Sequence, residues 1–216
     1  MPNLVISWTG SVACAAFGTS YTGCSQTETA DSTSTKAPGA GATSGNQSTT
    51  TVADNCWICW MLRHDAGESV TAGTNSFLVN EESGYGAHFL DTNAAQTPAG
   101  SKTLNASWAT STPYAGAMLS FAPSGTIARD ATIDGQVSGT SITLAISPAA
   151  SSTGLLISAF HQDSGASAWT SVYNGTDMGS PNVEQSNTSI QKIWIMINPN
   201  PPVSGSGKNF FMFMPQ

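Results

Sequence analysis

Short runs of alternating apolar and polar residues, separated by Gly, Pro, Ser and Asn, run through the whole chain, which is the pattern of half-buried β-strands and turns. Leu4, Ile6 and Trp8 fall on one face of the first run, and Val5, Ser7 and Thr9 on the other. The Thr9-Gly10 pair reads as a turn, and residues 12–22, with small Ala13, Ala15 and Ala16 and aromatic Phe17 and Tyr21, as the second arm of a hairpin. Residues 26–46 are Ser, Thr, Gly, Ala and Pro with almost no apolar periodicity, and read as a surface loop or interdomain linker. A Thr-rich edge-like segment at 47–52 leads to 56–62, whose unbroken apolar character marks a strand covered on both faces. Strands near 70–79 and 84–91 follow, then a closing hairpin at 102–109 and 114–121 that residues 123–125 terminate. Further strands are expected at 137–146, 155–160, 170–173 and 190–197. A Pro199, Pro201, Pro202 loop then leads to the apolar tail Phe210, Phe211, Met212, Phe213 and Met214.

The chain also repeats itself. Leu4, Ser7, Trp8, Ala15, Ser20 and Tyr21 fall without a gap on Leu104, Ser107, Trp108, Ala115, Ser120 and Phe121 one hundred positions later. Asp65 and Gly67 fall on Asp163 and Gly165 at an offset of 98. The copy at 104–121 closes a module, whereas the copy at 4–21 opens the chain, so the second module lacks its end. The expected fold is therefore all-β: two tandem antiparallel β-sandwich modules of jelly-roll or immunoglobulin-like size, the second completed by the N-terminal hairpin in cis or from a neighbouring subunit. The division is 1–24 as complementing hairpin, 25–46 as linker or loop, 47–125 as first sandwich and 126–216 as second, incomplete sandwich. By the same comparison Gly207-Lys208-Asn209-Phe210 matches Ser101-Lys102-Thr103-Leu104, so the tail competes with the hairpin for one slot.

Composition narrows the function classes. Of 216 residues 9% are charged, far below the roughly 25% usual for soluble domains, and solvation is left to hydroxyls and amides. A net charge of −7 with only six Lys and Arg argues against electrostatic binding to nucleic acid. No apolar window is long enough for a transmembrane helix, so no membrane insertion is expected. The N-terminus shows no signal-peptide pattern, which leaves a signal removed before Met1, another export route, or assembly inside a cell as virion proteins are assembled.

The segments TTTVADNCWICWMLRHDAG, TAGTNSFL, TPAGSKTLNASW and AGAMLSFAP, with GTSYTGCSQT near the N-terminus, resemble repeated β-sandwich (jelly-roll or lectin-like) modules of phage structural proteins and secreted proteins of environmental bacteria. The order here is a cyclic shift of that unit: a first half like 135–208, a hairpin like 4–21, then a second half like 31–123. The resemblance covers nearly the whole chain. It implies a fold and an extracellular or virion setting, with no assigned reaction.

Candidate chemistry is sparse. Cys56-Trp57-Ile58-Cys59 has the spacing of a metal or redox pair, but residues three apart on a strand point to opposite faces, so buried thiols are the better reading. A disulfide from Cys14 or Cys24 to another strand is the alternative for those two. His64-Asp65 and His161 with Asp163 stand at corresponding turns and read as turn chemistry rather than as a nucleophile with its base. Asp65, Glu68 and Asp91 have no calcium-loop spacing. No cofactor, metal or catalytic residue is nominated, and no enzyme activity is expected. Four N-x-S/T sequons, at Asn46, Asn105, Asn174 and Asn187, are a count that the Ser/Thr richness explains by itself; Asn105 is expected to project outward.

The function expected is that of a structural subunit of an extracellular filament or virion fibre, whose partners are copies of itself joined head to tail by strand complementation. Leu4, Ile6, Trp8, Phe17 and Tyr21, with Phe210, Phe211, Met212 and Phe213, would form the subunit interface. The alternatives are a carbohydrate-binding adhesin, with glycans as partners and Trp169 as an exposed platform, and a circularly permuted monomeric structural module.

Overall fold

A computed structural model describes residues 2–26, 30–151, 153–163, 167–186, 189–197 and 199. Fifteen strands are seen among them: β1 (Asn3–Cys24), β2 (Ser32–Lys36), β3 (Ala42–Thr51), β4 (Trp57–His64), β5 (Thr71–Ala72), β6 (Phe77–Glu82), β7 (Ala87–Asp91), β8 (Gly100–Thr112), β9 (Tyr114–Phe121), β10 (Pro123–Ala145), β11 (Leu155–Asp163), β12 (Ser167–Tyr173), β13 (Thr176–Asp177), β14 (Val183–Ser186) and β15 (Ser189–Ile197). The one helical element among the described residues is a 3-10 turn at Ser83–Tyr85. Every strand pairing is antiparallel. Three ladders result: β2-β9-β4-β7-β6, β3-β8-β5, and a seven-stranded sheet in which β1 is central.

Side-chain alternation in the strands separates three apolar layers. Ile58, Trp60, Leu62 and Met118 meet Leu104, Ala106 and Trp108 between the first two ladders. On their other faces β4, β7 and β9 send Cys59, Met61, Phe89 and Leu119 against Phe17, Ile157, Ile193 and Ile195 of the seven-stranded sheet. A third layer, holding Leu4, Ile6, Trp8, Leu156, Phe160 and Trp194, is enclosed among the described residues by strands of that sheet and the segments that join them. It can enclose a layer because it folds over. Ser7 pairs with Ser141 and Val12 with Gly139, so residues 8–11 of β1 bulge out opposite Thr140 alone, and the two arms of β1 come face to face. Gly18 marks the contact: a Cβ there would lie 3.0 Å from Leu4 of the opposite arm.

Residues 4–21 are thus one strand rather than the expected hairpin. Gly10 does have positive φ, 96°, but it serves a bulge, because both arms already have partners: β10 along one edge, β12 and β11 along the other. The segment expected as a loop at 25–46 carries β2 and the first residues of β3. Its Ser and Thr side chains do not alternate in hydropathy, yet Ser32 bonds Ser120 at 2.6 Å and Thr49 at 2.8 Å, holding the segment by hydroxyls instead of apolar packing. The strand expected near 70–79 is divided into β5 and β6 by a turn in which Ser76 N–H donates to Gly73 C=O. The sequence boundary at 125/126 falls inside β10, which runs unbroken from Pro123.

Candidate functional site

The site to which the sequence pointed is β1. Its residues 14–21 are buried on both faces, which their sizes permit: Cys14, Ala16 and Gly18 turn toward the third layer, Ala15 and Phe17 toward the central one. Leu4, Ile6, Trp8, Phe17 and Tyr21 all lie in the core of their own chain, none more than 5% exposed. The indole N–H of Trp8 donates to Gly139 C=O at 2.9 Å, as Trp108 donates to Ala42 C=O at 2.8 Å. Ser20 donates to Asp130 at 2.8 Å, as Ser120 donates to Asp31 at 2.9 Å. Phe210, Phe211, Met212 and Phe213 lie outside the described residues. The last of these, Pro199, sits on the rim of a recess lined by Tyr173, Met178, Asn182, Ile195 and Ile197.

One polar cluster ties β1 to the strands of the first half. The Tyr21 hydroxyl donates to Asp91 Oδ2 at 2.9 Å and stands 3.3 Å from Cys59 Sγ. Arg129 of β10 clasps the same carboxylate with Nη2 at 2.6 and 2.8 Å and Nε at 3.0 Å. Such a forked, charge-assisted pair satisfies a carboxylate that would otherwise be costly to bury. Burial, reinforced by Cys59 and the Asp91 charge, pushes the Tyr21 hydroxyl well above its usual range, so it stays a donor. For Arg129 burial works against the charge, but the bonds to Asp91 outweigh it and raise its pKa. In the sequence Asp91 stood out only as a calcium candidate and Arg129 not at all, and no spacing signal joins them.

A second cluster joins His64, expected at a turn, to His88, expected with Glu81 and Glu82 as an exposed strand or turn residue; both histidines are instead fully buried. His64 and His88 face each other with Nε2 atoms 2.9 Å apart, and His88 Nδ1 lies 3.2 Å from Glu81. The Ala66 N–H donates to His64 Nδ1, which makes that atom the acceptor. His64 Nε2 then carries the proton toward His88 Nε2, and His88 Nδ1 donates to Glu81; each ring is satisfied in its neutral form. Burial lowers His88 to about 3, with the neighbouring histidines adding to the effect, and burial likewise lowers His64. Asp65 pairs instead with Arg63. Hydrogen bonds engage both rings, and His64 stacks on His88 with centroids 4.7 Å apart and on Trp108 at 4.9 Å.

The four cysteines are free and buried. Cys56 Sγ donates to Ala53 C=O and Cys59 meets Tyr21, so the two thiols have separate partners despite their spacing. Burial pushes Cys14, Cys24 and Cys56 up to about 12 and Cys59 well up, so all remain thiols at neutral pH. Among the described residues no group of three or more His, Cys, Asp or Glu is placed to hold a metal ion. Among the same residues no helix is long and apolar enough to cross a membrane.

Of the sequons, Asn46 and Asn174 are exposed, and Asn187 lies outside the described residues. Asn105 is on the outward face of β8, directly opposite Asn46 of β3, but it is half-buried because the turn at Gly73 lies over it. Trp169, expected as an exposed platform, is partly buried, with its ring 5.5 Å from Trp8 and 4.7 Å from Phe160. No family model, no curated protein and no solved structure matches the chain.

Proposed function

We propose that the protein is a structural subunit of an extracellular filament or virion fibre, built as two equivalent sandwich units of which the second, 123–197, is closed by β1. In the assembly β1 of one copy takes in the next copy the place it takes here in its own chain. One observation carries this reading: every strand partner of β1 lies between residues 123 and 173, on both edges, while its neighbours in sequence pair elsewhere. A strand that is remote from its partners and tethered only through residues 25–31 makes the same contacts whether the partners belong to its own chain or to another. The matched Trp8 and Trp108 indole bonds, and the matched Ser20–Asp130 and Ser120–Asp31 bonds, support the equivalence of the two units. Five large side chains on β1, at roughly 1.5–3 kcal/mol each, supply on the order of 10 kcal/mol before ordering costs, enough for a durable joint.

Complementation tests the proposal. A chain lacking residues 1–24 should stay soluble and folded only when a separate peptide of those residues is supplied. The whole chain, refolded at rising concentration, should give multimers that lengthen into filaments by electron microscopy. Discrete monomers at every concentration, with a truncated chain that ignores the peptide, would mean a closed monomeric module instead.

A further inference from the structure

At the junction of the two halves, beside the Asp91–Arg129 pair, a cleft of about 780 Å³ opens to solvent. Trp57 lines its interior, Asn55 and Asn93 stand on the side of the first half, and Ser124, Thr126 and Arg129 on the β10 side. The volume lies within the roughly 300–1,000 Å³ of small-molecule sites. Two features show what it suits. The Trp57 indole N–H is buried and has no hydrogen-bond partner, although Trp8, Trp60, Trp108 and Trp194 all have one. A buried donor left unpaired costs free energy that an incoming acceptor would recover. The second feature is charge: among the described residues Arg129 is the one cation lining the cleft, and Asp91 already neutralises it in a forked pair.

We infer that this cleft binds an uncharged saccharide, with the Trp57 indole N–H as donor at its base and with Asn55, Asn93 and Thr126 as hydrogen-bonding partners for hydroxyls. An anion would find no free cation there, in a chain whose net charge is −7. The Ser124 hydroxyl already donates to Cys24 C=O and Asn93 Oδ1 already accepts from Arg129, but a wholly apolar ligand would take water from the exposed Asn55 amide, the Asn93 amide N–H groups and the Thr126 hydroxyl without replacing its hydrogen bonds. A pyranose offers both parts at once, apolar C–H faces for Ala94, Ala95 and Pro123 and hydroxyls for the amides and the indole N–H. Asn55 and Asn93 both have positive φ, 60° and 49°, so the turns that present them are of a kind that favours Asn or Gly. The inference does not depend on how the subunits assemble.

The test is titration of the whole chain with lactose, cellobiose, maltose and diacetylchitobiose, followed through the indole N–H resonances. The Trp57 signal is identified by its loss in Trp57→Phe. At least one disaccharide should shift that signal saturably. The affinity should fall about fivefold in Asn55→Gly, which keeps the backbone conformation and removes one hydrogen-bonding amide. Absence of a shift with all four sugars, a response to N-acetylglycinamide in place of any sugar, or binding unchanged in Asn55→Gly would each overturn the inference. Because Asn55 is exposed, its replacement tests the site even where Trp57→Phe fails to fold.

Discussion

The β8–β9 region and β1, which the sequence repeat sets against each other, each turn a corner, by different means. In the first half β8 and β9 are separated by Pro113, which has no N–H to give, and the ladders on either side remain distinct. In β1 the two arms stay one strand through a bulge at residues 8–11, with Gly10 at positive φ, and a single sheet folds over its own core. The partner strands differ likewise. β2 and β3 are separated by residues 37–41, whereas β10 is continuous from Pro123 to Ala145. The interior side chains are less changed than the backbone, which means that burial of matched aromatics specifies the corner and the chain has freedom in how it reaches it.

The sharpest way to break the comparison is to remove the matched tryptophans. Trp8 and Trp108 are 5% and 6% exposed, and each donates one indole bond across its layer. Alanine at either should cost about 3–5 kcal/mol, the range for deleting a large buried aromatic. Urea unfolding checks the magnitude. Hydrogen exchange checks the location: Trp8→Ala should expose amides of β10 and β12 first, and Trp108→Ala those of β3 and β8. A Trp8→Ala chain with undiminished stability would show that β1 is not held by its N-terminal arm.

Acid separates the halves by a smaller amount. His64 and His88 of the first half have Gln162 and Lys192 at the corresponding ladder positions of the second. His88 is held near 3 in the fold, so below about 6.5 the unfolded chain takes up the proton and the fold does not. Stability is therefore lost as pH falls, by about 1.4 kcal/mol per pH unit in that window. Glu82 acts with the opposite sign. Burial, with Asp134 beside it, pushes its carboxyl up to about 7 from 4.5, so the fold holds a proton that the unfolded chain releases, and stability is gained as pH falls through that range. Glu82→Gln removes the opposing contribution. The urea midpoint of this variant should fall more steeply than that of the parent between pH 6.5 and 4.5, and parallel profiles would contradict the compensation.

How much of this was legible in the sequence depends on what holds each element. β4, β9, β11 and β15 announce themselves by apolar runs because both faces are covered. Leu4 and Trp8, which the repeat sets against Leu104 and Trp108, were legible as inward-facing strand residues, and each pair is buried in one apolar layer. β2 was hidden because hydroxyls hold it, and a Ser/Thr-rich strand has the composition of a loop. Thr9-Gly10 was misread because positive φ serves a turn and a bulge alike, and only the partners on both edges decide between them. The Asp91–Arg129–Tyr21 and His64–His88–Glu81 clusters join residues 24 to 70 positions apart, or adjacent only across strands, and no local pattern encodes such a meeting.

The corner itself gives the smallest and most diagnostic contrast. Gly10→Ala should cost about 1 kcal/mol, because an L-residue is strained at φ 96°. Pro113→Ala should cost a similar amount, about 0.4–1 kcal/mol, but through the unfolded chain, which gains freedom when the ring is removed. The rates tell the two apart. Strain in the native corner that is relieved before the transition state raises the unfolding rate, whereas freedom gained by the unfolded chain lowers the folding rate and leaves unfolding unchanged. Gly10→Ala should therefore act on unfolding and Pro113→Ala on folding. If both act on folding alone, the bulge of β1 carries no native strain, and the two corners differ only in the hydrogen bond that Pro113 cannot donate.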